Sequence, residues 1–342
     1  MRELTAGDAA DYLRSSGRLP AGVAVSVREL SGGVSNLVLR VDAEDRPPFV
    51  VKQCRERLRV ALEWRARLDR IWVEHATLRV LGELLPPGAV PELLFEDRDE
   101  YLFAMSCAPD DSETWKTRLL RGDADPAIAA ALGGYLATIH SDAPNHPTRD
   151  ASLADTSLFD ELRVDPYYRT TARAHPRLAP QFDALIAAME PPIERRALVL
   201  GDFSPKNILV HSGGLVLLDF ECAHLGDPGF DLGFFMSHLA LKRIHGVISD
   251  EQYRRLADGF LGTYFERLGD RLGSSEDVER RGVAHTAACL LARVDGKSPV
   301  EYLDGPGREV ARRSALALFA QAPDRWEFLH RVLDSEARVH PR

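Results

Sequence analysis

Four side chains that offer oxygen ligands lie close together in the sequence between residues 198 and 233. They are three carboxylates and one amide: Asp202, Asn207, Asp219 and Glu221. Short apolar runs at 198–200, 208–211 and 215–220 predict strands, and Gly213 and Gly214 predict a tight turn between the last two. We therefore expect the four side chains on the rims of one small hairpin, where a carboxylate can orient a hydroxyl group and oxygen ligands can hold a metal ion.

The spacing of these residues favours a functional site over ordinary surface turns. Asp202 and Asn207 lie five positions apart, the D-x-x-x-x-N spacing of the kinase catalytic loop, where the aspartate orients the attacking hydroxyl and the asparagine holds a metal. There the aspartate after the next strand, here Asp219, holds Mg²⁺. A lone D-x-x-x-x-N is common by chance, and two surface hairpins with acidic turns are the alternative. Here the D-x-x-x-x-N motif is followed by a predicted strand, a turn and a second strand that leads to D-F-E, and then by D-P-G-F-D-L-G. This combination favours a functional site.

Length and composition narrow the class of protein. The 342 residues are 45% hydrophobic and 28% charged, which is ordinary for a globular protein and enough for two lobes with cores of their own. The net charge of −9 and a pI near 5.7 argue against broad binding to nucleic acid or a membrane surface. The four cysteines lie far apart, the N-terminal segment is polar, and apolar runs stay well short of the ~20 residues needed to span a bilayer. We expect a cytoplasmic protein without nucleic-acid or membrane partners; the oligomeric state cannot be read from the sequence.

A glycine-containing loop near the N terminus is a candidate for phosphate binding. Strands are predicted at 23–30 and 37–41, and the loop between them reads SGGVSN. Glycine lets backbone amides approach phosphates closely, so the candidate ATP-binding residues of this loop are Ser31, Gly32, Gly33, Ser35 and Asn36. Because the loop lacks a full G-x-G-x-x-G, a simple hairpin turn is the alternative.

Lys52 and Glu74 are predicted to form an ion pair that positions phosphates. Lys52 lies on a strand predicted at 49–53, soon after the glycine loop, where a lysine can pair with α- and β-phosphates. A helix predicted from about 62 to 85 carries Glu74 near its apolar face. The order of strand lysine and helix glutamate is the one that phosphate positioning requires. The alternative for Glu74 is one solvated charge on a highly charged helix.

The sequence predicts mainly strands before residue 106 and mainly helices after it. A hairpin at 90–96 and 101–106 completes about five antiparallel strands, and backbone groups at Met105 and Cys107 are candidates to bind an adenine edge. Helices are predicted at 113–121 with Ser112 as N-cap, and at 126–141, 176–189, 229–243, 250–271, 275–295, 306–321 and 324–336. We therefore expect an α+β protein in which residues 1–106 form a nucleotide-binding lobe and residues 107–342 form a helical lobe with the catalytic loop and acceptor site.

This order of elements resembles the bilobal protein-kinase-like fold, and more closely the aminoglycoside phosphotransferase and choline kinase-like superfamily. The resemblance runs from about residue 30 to 242, and its most specific parts are LGDFSPKNILV and LLDFECAHLGDPGFDLG. The segment from Asp219 to Asp231 is too short for the peptide-docking activation loop of protein kinases. The resemblance therefore implies transfer of a phosphoryl group from ATP, with Mg²⁺, to a hydroxyl group of a small molecule.

Within the superfamily, the N-terminal half is similar to methylthioribose kinase. VVKQ, LRV, EW and LDR follow one another as they do in that family, and D-x-E at Asp219 and Glu221 is similar to its metal motif. Two departures are present: Leu200 replaces the usual histidine before Gly-Asp, and Asn207 stands where methylthioribose kinases often differ. EWRARLDR also lacks that family's Trp-Pro, so its substrate-closing loop is not carried over.

The resemblance implies a role for each candidate residue. ATP would place its adenine at Met105 and Cys107, and Lys52, held by Glu74, would bind its phosphates. Mg²⁺ would be held by Asn207, Asp219 and Glu221. Asp202 would orient the substrate hydroxyl, and Lys206 would add positive charge at the γ-phosphate unless it is an ordinary surface lysine. Asp231 would support the backbone of the catalytic loop.

The acceptor is the open question. Arg293 and Lys297, at the end of a predicted helix with Asp295, are candidates for binding a hydroxylated or anionic metabolite, and a capped helix end with solvated charges is the alternative. A polycationic aminoglycoside would favour an acidic pocket, so these cations favour a small polyol, sugar or hydroxy acid, with a methylthioribose-like sugar named first. An aminoglycoside or amino-alcohol kinase, a protein kinase and a weakly active nucleotide-binding regulator are the other function classes.

Overall fold

An antiparallel sheet of five strands forms the first part of the structure, a computed structural model that describes residues 3–30, 36–55 and 67–339. The strands are β1 (Val25–Glu29), β2 (Asn36–Ala43), β3 (Phe49–Cys54), β4 (Leu93–Asp97) and β5 (Leu102–Ser106). Their order across the sheet is β1-β2-β3-β5-β4. The predicted strand set is confirmed, with ends that differ by a few residues.

The register of β3 decides which way Lys52 faces. Lys52 pairs with Val38 on β2 and with Phe103 on β5. Successive residues of a strand face opposite sides of the sheet. Val51 belongs to the apolar cluster on one face, whereas Val50, Cys54 and Phe103 belong to the cluster on the other. Lys52 therefore shares the face that packs against the main core of the protein.

Two helices cover the two faces of this sheet. Helix α1 (Ala9–Ser15) buries Ala9 and Leu13 in the apolar cluster on the outer face. Helix α2 (Arg70–Leu84) packs on the inner face and buries Glu74 there.

The predicted start of α2 near residue 62 is wrong for the described part, because residues 67–69 lie outside the helix. The Arg67 guanidinium contacts Asp69 and donates a 2.7 Å hydrogen bond to Ser157 Oγ. Side-chain contacts therefore hold the segment that leads into α2. Residues 56–66 lie outside the described part of the chain.

The remainder of the chain is mainly helical, as predicted. Its helices are α3 (Trp115–Leu120), α4 (Pro126–Asp142), α5 (Ser157–Phe159), α6 (Thr170–Ala174), α7 (Ala179–Ala188), α8 (Gly229–His245), α9 (Asp250–Leu268), α10 (Ser275–Asp295), α11 (Gly305–Gln321) and α12 (Trp326–Val339). Helices α8 and α10 approach closely at Gly233, where an added Cβ would lie 2.4 Å from His285 Cβ. A side chain larger than hydrogen at Gly233 would force the two helices apart.

Two details of the helical part differ from the prediction. Helix α3 is capped by Thr114, whose side chain accepts a bond from the Thr117 amide, and not by Ser112. The reason is that Glu113–Thr114 forms a short strand, β6, and the helix begins only after it. Residues 157–174, for which no helix was predicted, are helical throughout, with a π-helical stretch at Asp160–Arg169 joining α5 to α6.

The four remaining strands correct the predicted hairpin. They are β7 (Ala197–Val199), β8 (Ile208–His211), β9 (Gly214–Leu217) and β10 (His224–Gly226). The hairpin of β8 and β9 is confirmed, and β6 extends it to a three-stranded sheet. The prediction that the run before Asp202 belongs to the same hairpin is wrong, because β7 pairs with β10 in a separate two-stranded sheet. Asp202 and Asp219 are therefore delivered by two different sheets.

The apolar core is continuous from the inner face of the five-stranded sheet into the helical part. Val50, Phe103 and Met105 of the sheet belong to the same buried cluster as Trp115 and Phe235. Burying each such side chain contributes about 1.5–3 kcal/mol.

The division at residue 106 stays a prediction. All four cysteines are free thiols. In the described ranges, the helices lack the combination of length and apolar character that a membrane span requires.

Candidate active site

The loop that carries Asp202 is held from behind by a buried carboxylate. Asp231, fully buried on α8, accepts hydrogen bonds from the Leu200 amide at 2.6 Å and from the Gly201 amide at 2.9 Å. Gly201 has a φ of 73°, which favours glycine, and an added Cβ would lie 2.8 Å from Cys222 Cβ. The chain thus turns sharply after β7, and Asp202 lines a cavity. The predicted support of this loop by Asp231 is confirmed.

A histidine that the sequence analysis missed completes this support. His140 of α4 lies with Nε2 3.2 Å from Asp231 Oδ2, and its Nδ1 lies 2.8 Å from the Tyr264 hydroxyl. Both side chains are buried. Leu200 itself is buried in the apolar core. The polar bracing of the loop therefore comes from Asp231 of α8, which is supported by side chains of α4 and α9, while position 200 contributes packing.

Two cations hold the Asp202 carboxylate. Arg163 Nη2 and Lys206 Nζ each lie 2.8 Å from Asp202 Oδ2. Arg163 also donates from Nε to the Gly201 carbonyl at 2.7 Å, so it fixes both the side chain and the backbone of the loop. Burial alone lowers the pKa of Lys206, but the carboxylates of Asp202 and Asp219 outweigh burial and raise it. Lys206 is therefore a charged neighbour of Asp202.

Asn207 and Asp219 meet where the two strand ends come together. The Asn207 side-chain amide donates to the Asp202 carbonyl at 3.1 Å, and the Asn207 carbonyl accepts from the Leu218 amide at 2.9 Å. Asp219 has a φ of 67°, a left-handed conformation that non-glycine residues seldom adopt. Such strained residues cluster at functional sites. The β8–β9 hairpin thus places Asn207 and Asp219 side by side on the cavity wall.

Lys52 links the sheet to this wall. Its Nζ lies 2.6 Å from Glu74 Oε2 and 3.1 Å from Asp219 Oδ1. The Lys52 and Glu74 side chains are buried, at 7% and 2% exposure, whereas Asp219 is 27% exposed to the cavity. Burial lowers the pKa of Lys52, but Glu74 and Asp219 outweigh burial and raise it above its ordinary value. The predicted contact of Lys52 with Glu74 is confirmed.

Glu221 has partners that the sequence analysis did not find. Its Oε2 lies 3.3 Å from Arg70 Nε and accepts a 3.1 Å bond from the Asn36 side-chain amide. Arg70 is fully buried at the start of α2. Glu221 therefore ties α2 and β2 to the loop after Asp219, and it also lines the cavity.

The oxygen donors around Asp219 suit a hard divalent cation. Mg²⁺ in phosphoryl-transfer sites is bound by one or two carboxylates, with water and substrate phosphates supplying the other ligands. Asn207 and Asp219, with Glu221 next to them, offer such a donor set. A cage of three or more histidine, cysteine or acidic side chains does not occur among the described residues. The residues present fit a cation shared with a phosphate.

One cavity of about 1140 Å³ collects most of the predicted site residues. Those on its wall are Asn36, Lys52, Glu74, Met105, Asp202, Lys206, Asn207, Asp219, Glu221 and Arg293. Cys107 is half-buried after β5, and Lys297 is exposed; neither lines the cavity. Ser31, Gly32, Gly33 and Ser35 lie outside the described residues.

The sequence analysis missed several polar residues of the cavity wall. They are Lys116, Arg163, Tyr167 and His238. Arg163 and Tyr167 come from the π-helical stretch Asp160–Arg169, whose Pro166 gives no helix signal. His238 lies on a helix that was predicted, and its position on the apolar side of α8 gave no reason to separate it from the core.

Comparison with known proteins identifies the family of the chain. The sequence profile of the phosphotransferase enzyme family matches residues 26–269. A methylthioribose kinase from Cronobacter sakazakii is 30% identical over an alignment of 349 positions that covers 92% of this chain and 86% of that protein. A methylthioribose kinase from Yersinia enterocolitica is 30% identical over 264 residues, 70% of this chain and 66% of that protein, so that match spans about two thirds of the relative.

Solved structures agree on the fold. A choline/ethanolamine kinase family protein from Mesorhizobium loti aligns with a TM-score of 0.52 at 18% identity, covering 98% of this chain and 100% of that one. An amicoumacin kinase aligns with a TM-score of 0.58 at 14% identity, covering 93% and 95%. At these identities the likeness concerns the protein-kinase-like fold alone.

The family match covers most of the chain, including the loop of Asp202 and the hairpin of Asp219. The chain belongs to the phosphotransferase enzyme family and is a small-molecule kinase that acts on a hydroxyl group.

Proposed function

We propose that the protein transfers the terminal phosphoryl group of ATP to a hydroxyl group of a small sugar-like metabolite. The observation that carries the proposal is the shared cavity: Lys52, paired with Glu74 and Asp219, lines the same space as Asp202. A phosphate-binding cation and an acceptor-orienting carboxylate are the two groups that phosphoryl transfer needs within reach of each other.

The sheet side of the cavity is the proposed nucleotide site. Lys52 would bind the α- and β-phosphates, and Glu74 keeps its ammonium group in place from behind. Met105, at the end of β5, would contact the adenine, with backbone groups as far as Cys107. The loop residues Ser31, Gly32, Gly33 and Ser35, with Asn36, stay predicted phosphate contacts.

Asn207, Asp219 and Glu221 are the proposed ligands of Mg²⁺. The cation would neutralise charge on the phosphoryl group that is transferred. Asp219 already contacts Lys52, so the cation and the lysine would share one carboxylate between them. Glu221 differs from the other two in that one of its oxygens, Oε2, faces Arg70 and Asn36.

Glu221→Gln tests that assignment. As a ligand, its replacement should raise the Mg²⁺ concentration for half-maximal rate about ten- to a hundredfold, as expected for a lost charged contact. Thermal unfolding serves as the control, because the loss of the Arg70 contact alone would lower stability. An unchanged Mg²⁺ dependence with lowered stability would leave Asn207 and Asp219 as the protein ligands and make Glu221 a structural partner of Arg70.

Asp202 is the proposed acceptor-orienting base. Its carboxylate would accept the hydrogen bond of the substrate hydroxyl and take its proton as the oxygen attacks the γ-phosphorus. The bond from that phosphorus to the bridging oxygen of ADP breaks, and ADP leaves with the electron pair. Arg163 and Lys206 hold the carboxylate in place, and Lys206 would also face the γ-phosphate. Such catalysis depends on position and charge.

The experiment is ADP release with Mg·ATP and a panel of acceptors, with the phosphorylated product identified by mass spectrometry. Methylthioribose heads the panel because the relatives carry that name; ribose, glycerol, choline, homoserine and an aminoglycoside follow. We expect acceptor-dependent ADP release with a sugar or polyol. Turnover that is best with choline or the aminoglycoside would contradict the proposed acceptor class. Nucleotide binding without turnover on any hydroxyl would favour a regulatory protein.

A further inference from the structure

The cavity wall beyond Asp202 is rich in cations. It is built by α3, the π-helical stretch, α8, α10 and the segment after α10, which contribute Lys116, Arg163, Tyr167, His238, Arg293 and Ser298. Among the described residues, this part of the wall contains no carboxylate. The carboxylates of the cavity lie elsewhere: Glu29 on β1, Glu74 on α2, Asp202 after β7, and Asp219 and Glu221 after β9. The separation is notable in a chain whose net charge is −9.

Arg293 is held in place by neutral groups. Its Nη1 lies 3.0 Å from the Tyr167 hydroxyl and 3.0 Å from Ser298 Oγ, and it donates a 2.5 Å bond to the Ser298 carbonyl. Its Nε is buried and has no hydrogen-bond partner among the residues that the structure describes. The guanidinium carbons of Arg293 and Arg163 lie 5.8 Å and 5.9 Å from the centroid of the Tyr167 ring. Arg293 therefore shares a ring contact with the arginine that holds Asp202.

A buried lysine lies behind this wall. Lys242 is 1% exposed, and its Nζ donates at 3.3 Å to the His238 carbonyl and lies 5.4 Å from the centre of the Tyr302 ring. Burial, Lys116 and Arg293 lower the pKa of Lys242 to about 7. Lys116 contacts Glu301, whose charge acts on Lys242 in the opposite direction and raises its pKa. The effect of Glu301 does not offset burial and the two cations.

His238 lies at the centre of the cationic group. Its side chain is nine-tenths buried, lines the cavity and packs edge-on against Phe234. No hydrogen bond joins its ring nitrogens to any other residue in the part of the chain that the structure describes. Burial and the charges of Lys242, Arg293, Lys206 and Lys116 hold its pKa well below its ordinary value. A neutral imidazole among four cations can donate one further hydrogen bond into the cavity.

Such a concentration of positive charge is costly in an empty pocket. Like charges repel, and a desolvated cation without a partner destabilises the folded state. An anion bound against the wall would remove both costs, because it would accept charge-assisted hydrogen bonds from several of these side chains at once. A neutral sugar would gain little from them, and a cationic acceptor would be repelled.

We propose that the wall formed by Lys116, His238 and Arg293 binds an anionic group of the acceptor, a carboxylate or a phosphate. The acceptor is then a hydroxy acid or a phosphorylated sugar or polyol, with its anionic end at Arg293 and its reacting hydroxyl at Asp202. This inference rests on the proposed function and narrows its acceptor class. It implies that an anionic ribose derivative is a better substrate than methylthioribose itself, which carries no such group.

The test uses acceptors that differ only in charge. Kinetics are measured with saturating Mg·ATP and two series: ribose, ribonate and ribose phosphate with the phosphate on the primary hydroxyl; and glycerol, glycerate and glycerol phosphate. We expect an anionic member to exceed its neutral counterpart about ten- to a hundredfold in kcat/KM, the size of one or two charge-assisted hydrogen bonds. The comparison of ribonate with ribose phosphate distinguishes a carboxylate from a phosphate site.

Variants connect that preference to the wall. Lys116→Gln and Arg293→Gln should remove most of the preference by raising the KM of the anionic acceptor, while the ATP KM stays unchanged. Arg293→Lys should keep part of the preference. Lys116 is partly exposed, so its variant tests the proposal even if the Arg293 variants fold poorly. Arg255→Gln, an exposed cation on α9, is the matched control.

Two results would overturn the inference alone. The first is turnover in which the neutral members are equal to or better than the anionic ones. The second is a rise in the ATP KM of both wall variants with an unchanged acceptor KM, which would assign the cations to the γ-phosphate. A lack of turnover with every hydroxylated acceptor, neutral or anionic, would instead contradict the proposed function, and the inference would fall with it.

Discussion

Lys52 illustrates how single residues in this site keep their charge. Burial disfavours its ammonium form, and the two carboxylates of Glu74 and Asp219 more than offset burial, so its pKa is raised. A raised lysine pKa contributes stability that is present below the unfolded pKa and is lost as the pH rises through the folded one. Lys52 and Lys206 lower the pKa of Asp219 to about 2 against the opposing effect of burial. That contribution is present above the unfolded pKa and is lost as the pH falls towards 2.

The Lys52–Glu74 pair can be tested with a double-mutant cycle. Removing one partner of a buried ion pair costs about 3–5 kcal/mol of unfolding free energy, because the remaining charge lacks its partner. Lys52→Met and Glu74→Gln should each lower stability and raise the ATP KM, and the double variant should lose less than the sum of the two. Denaturant unfolding and ATP kinetics measure both effects. Strict additivity in both would show that the two side chains do not interact.

The contribution of Lys242 to stability should depend on pH in the direction opposite to that of Lys52. Its pKa is lowered to about 7, whereas an unfolded lysine titrates near ~10.4. Between these values the unfolded chain binds more protons, so the Lys242 contribution to stability rises with pH. Lys242→Met should therefore stabilise the protein at pH values below about 7, and the gain should shrink as the pH approaches ~10.

Denaturant midpoints of Lys242→Met and of the wild type, measured across this pH range, give the change in stability that the substitution causes. Lys297→Met, at an exposed lysine, is the control and should show no comparable trend. A loss of stability in Lys242→Met at low pH would mean that the buried charge is stabilised where it lies.

At the scale of elements, the turn between β7 and the loop of Asp202 depends on Gly201. A Cβ at this position would lie 2.8 Å from Cys222 Cβ and 2.9 Å from the Cys222 carbonyl oxygen, and the φ of 73° strains any other residue. Gly201→Ala should lower stability by about 1–3 kcal/mol and lower turnover as well, because the loop would shift relative to Asp231. Thermal unfolding and kcat measure the two effects.

The control for this turn lies in α9. Gly262 has open space around its Cα and an ordinary helical conformation, so Gly262→Ala should stabilise by about 0.5–1 kcal/mol through helix propensity. Equal effects of the two substitutions would show that the turn at Gly201 has no special requirement.

Local sequence patterns predicted most helices and strands. They failed where contacts between distant residues determine the structure. The strand predicted at 49–53, directly after Pro47-Pro48, is β3, Phe49–Cys54 in the structure, and the helix predicted at 275–295 has the bounds of α10. The π-helical stretch was missed because Pro166 and a polar sequence predict a loop. As a result Arg163, which holds Asp202, was missed. Its contact joins residues far apart in the chain, so no local spacing could predict it.

The pairing of strands was likewise beyond local reasoning. Apolar runs predicted that β7, β8 and β9 exist, and the Gly213 turn predicted the β8–β9 hairpin. The partner of β7 is β10, which follows Asp219, and this pairing brings the two aspartate-bearing loops to one cavity. The motif spacing thus predicted which residues belong to the site, whereas their geometry depends on the separate sheet.

At the scale of the whole molecule, the carboxylates of the cavity come from β1, α2, the loop after β7 and the segment after β9, whereas its helical wall contributes cations. The overall charge of −9 gave no hint of this division. Arg293 was predicted as an acceptor residue from its place at a helix end, and it lines the cavity; Lys297, predicted with it, is exposed. Asp295, between them in the sequence, pairs with Arg312 and contacts His175, so it belongs to the packing of α10 against its neighbours.

The central claim is that Asp202 orients the acceptor hydroxyl while the nucleotide is bound by other residues. The most direct measurement is kcat of Asp202→Asn with the best acceptor and saturating Mg·ATP, together with the Kd for ATP and the thermal stability of the variant. The account predicts a fall in kcat of about 10²–10⁴-fold, with the Kd for ATP changed by no more than about twofold. A variant that retains a tenth or more of the wild-type kcat, or one whose ATP binding falls in parallel with its rate, would contradict it.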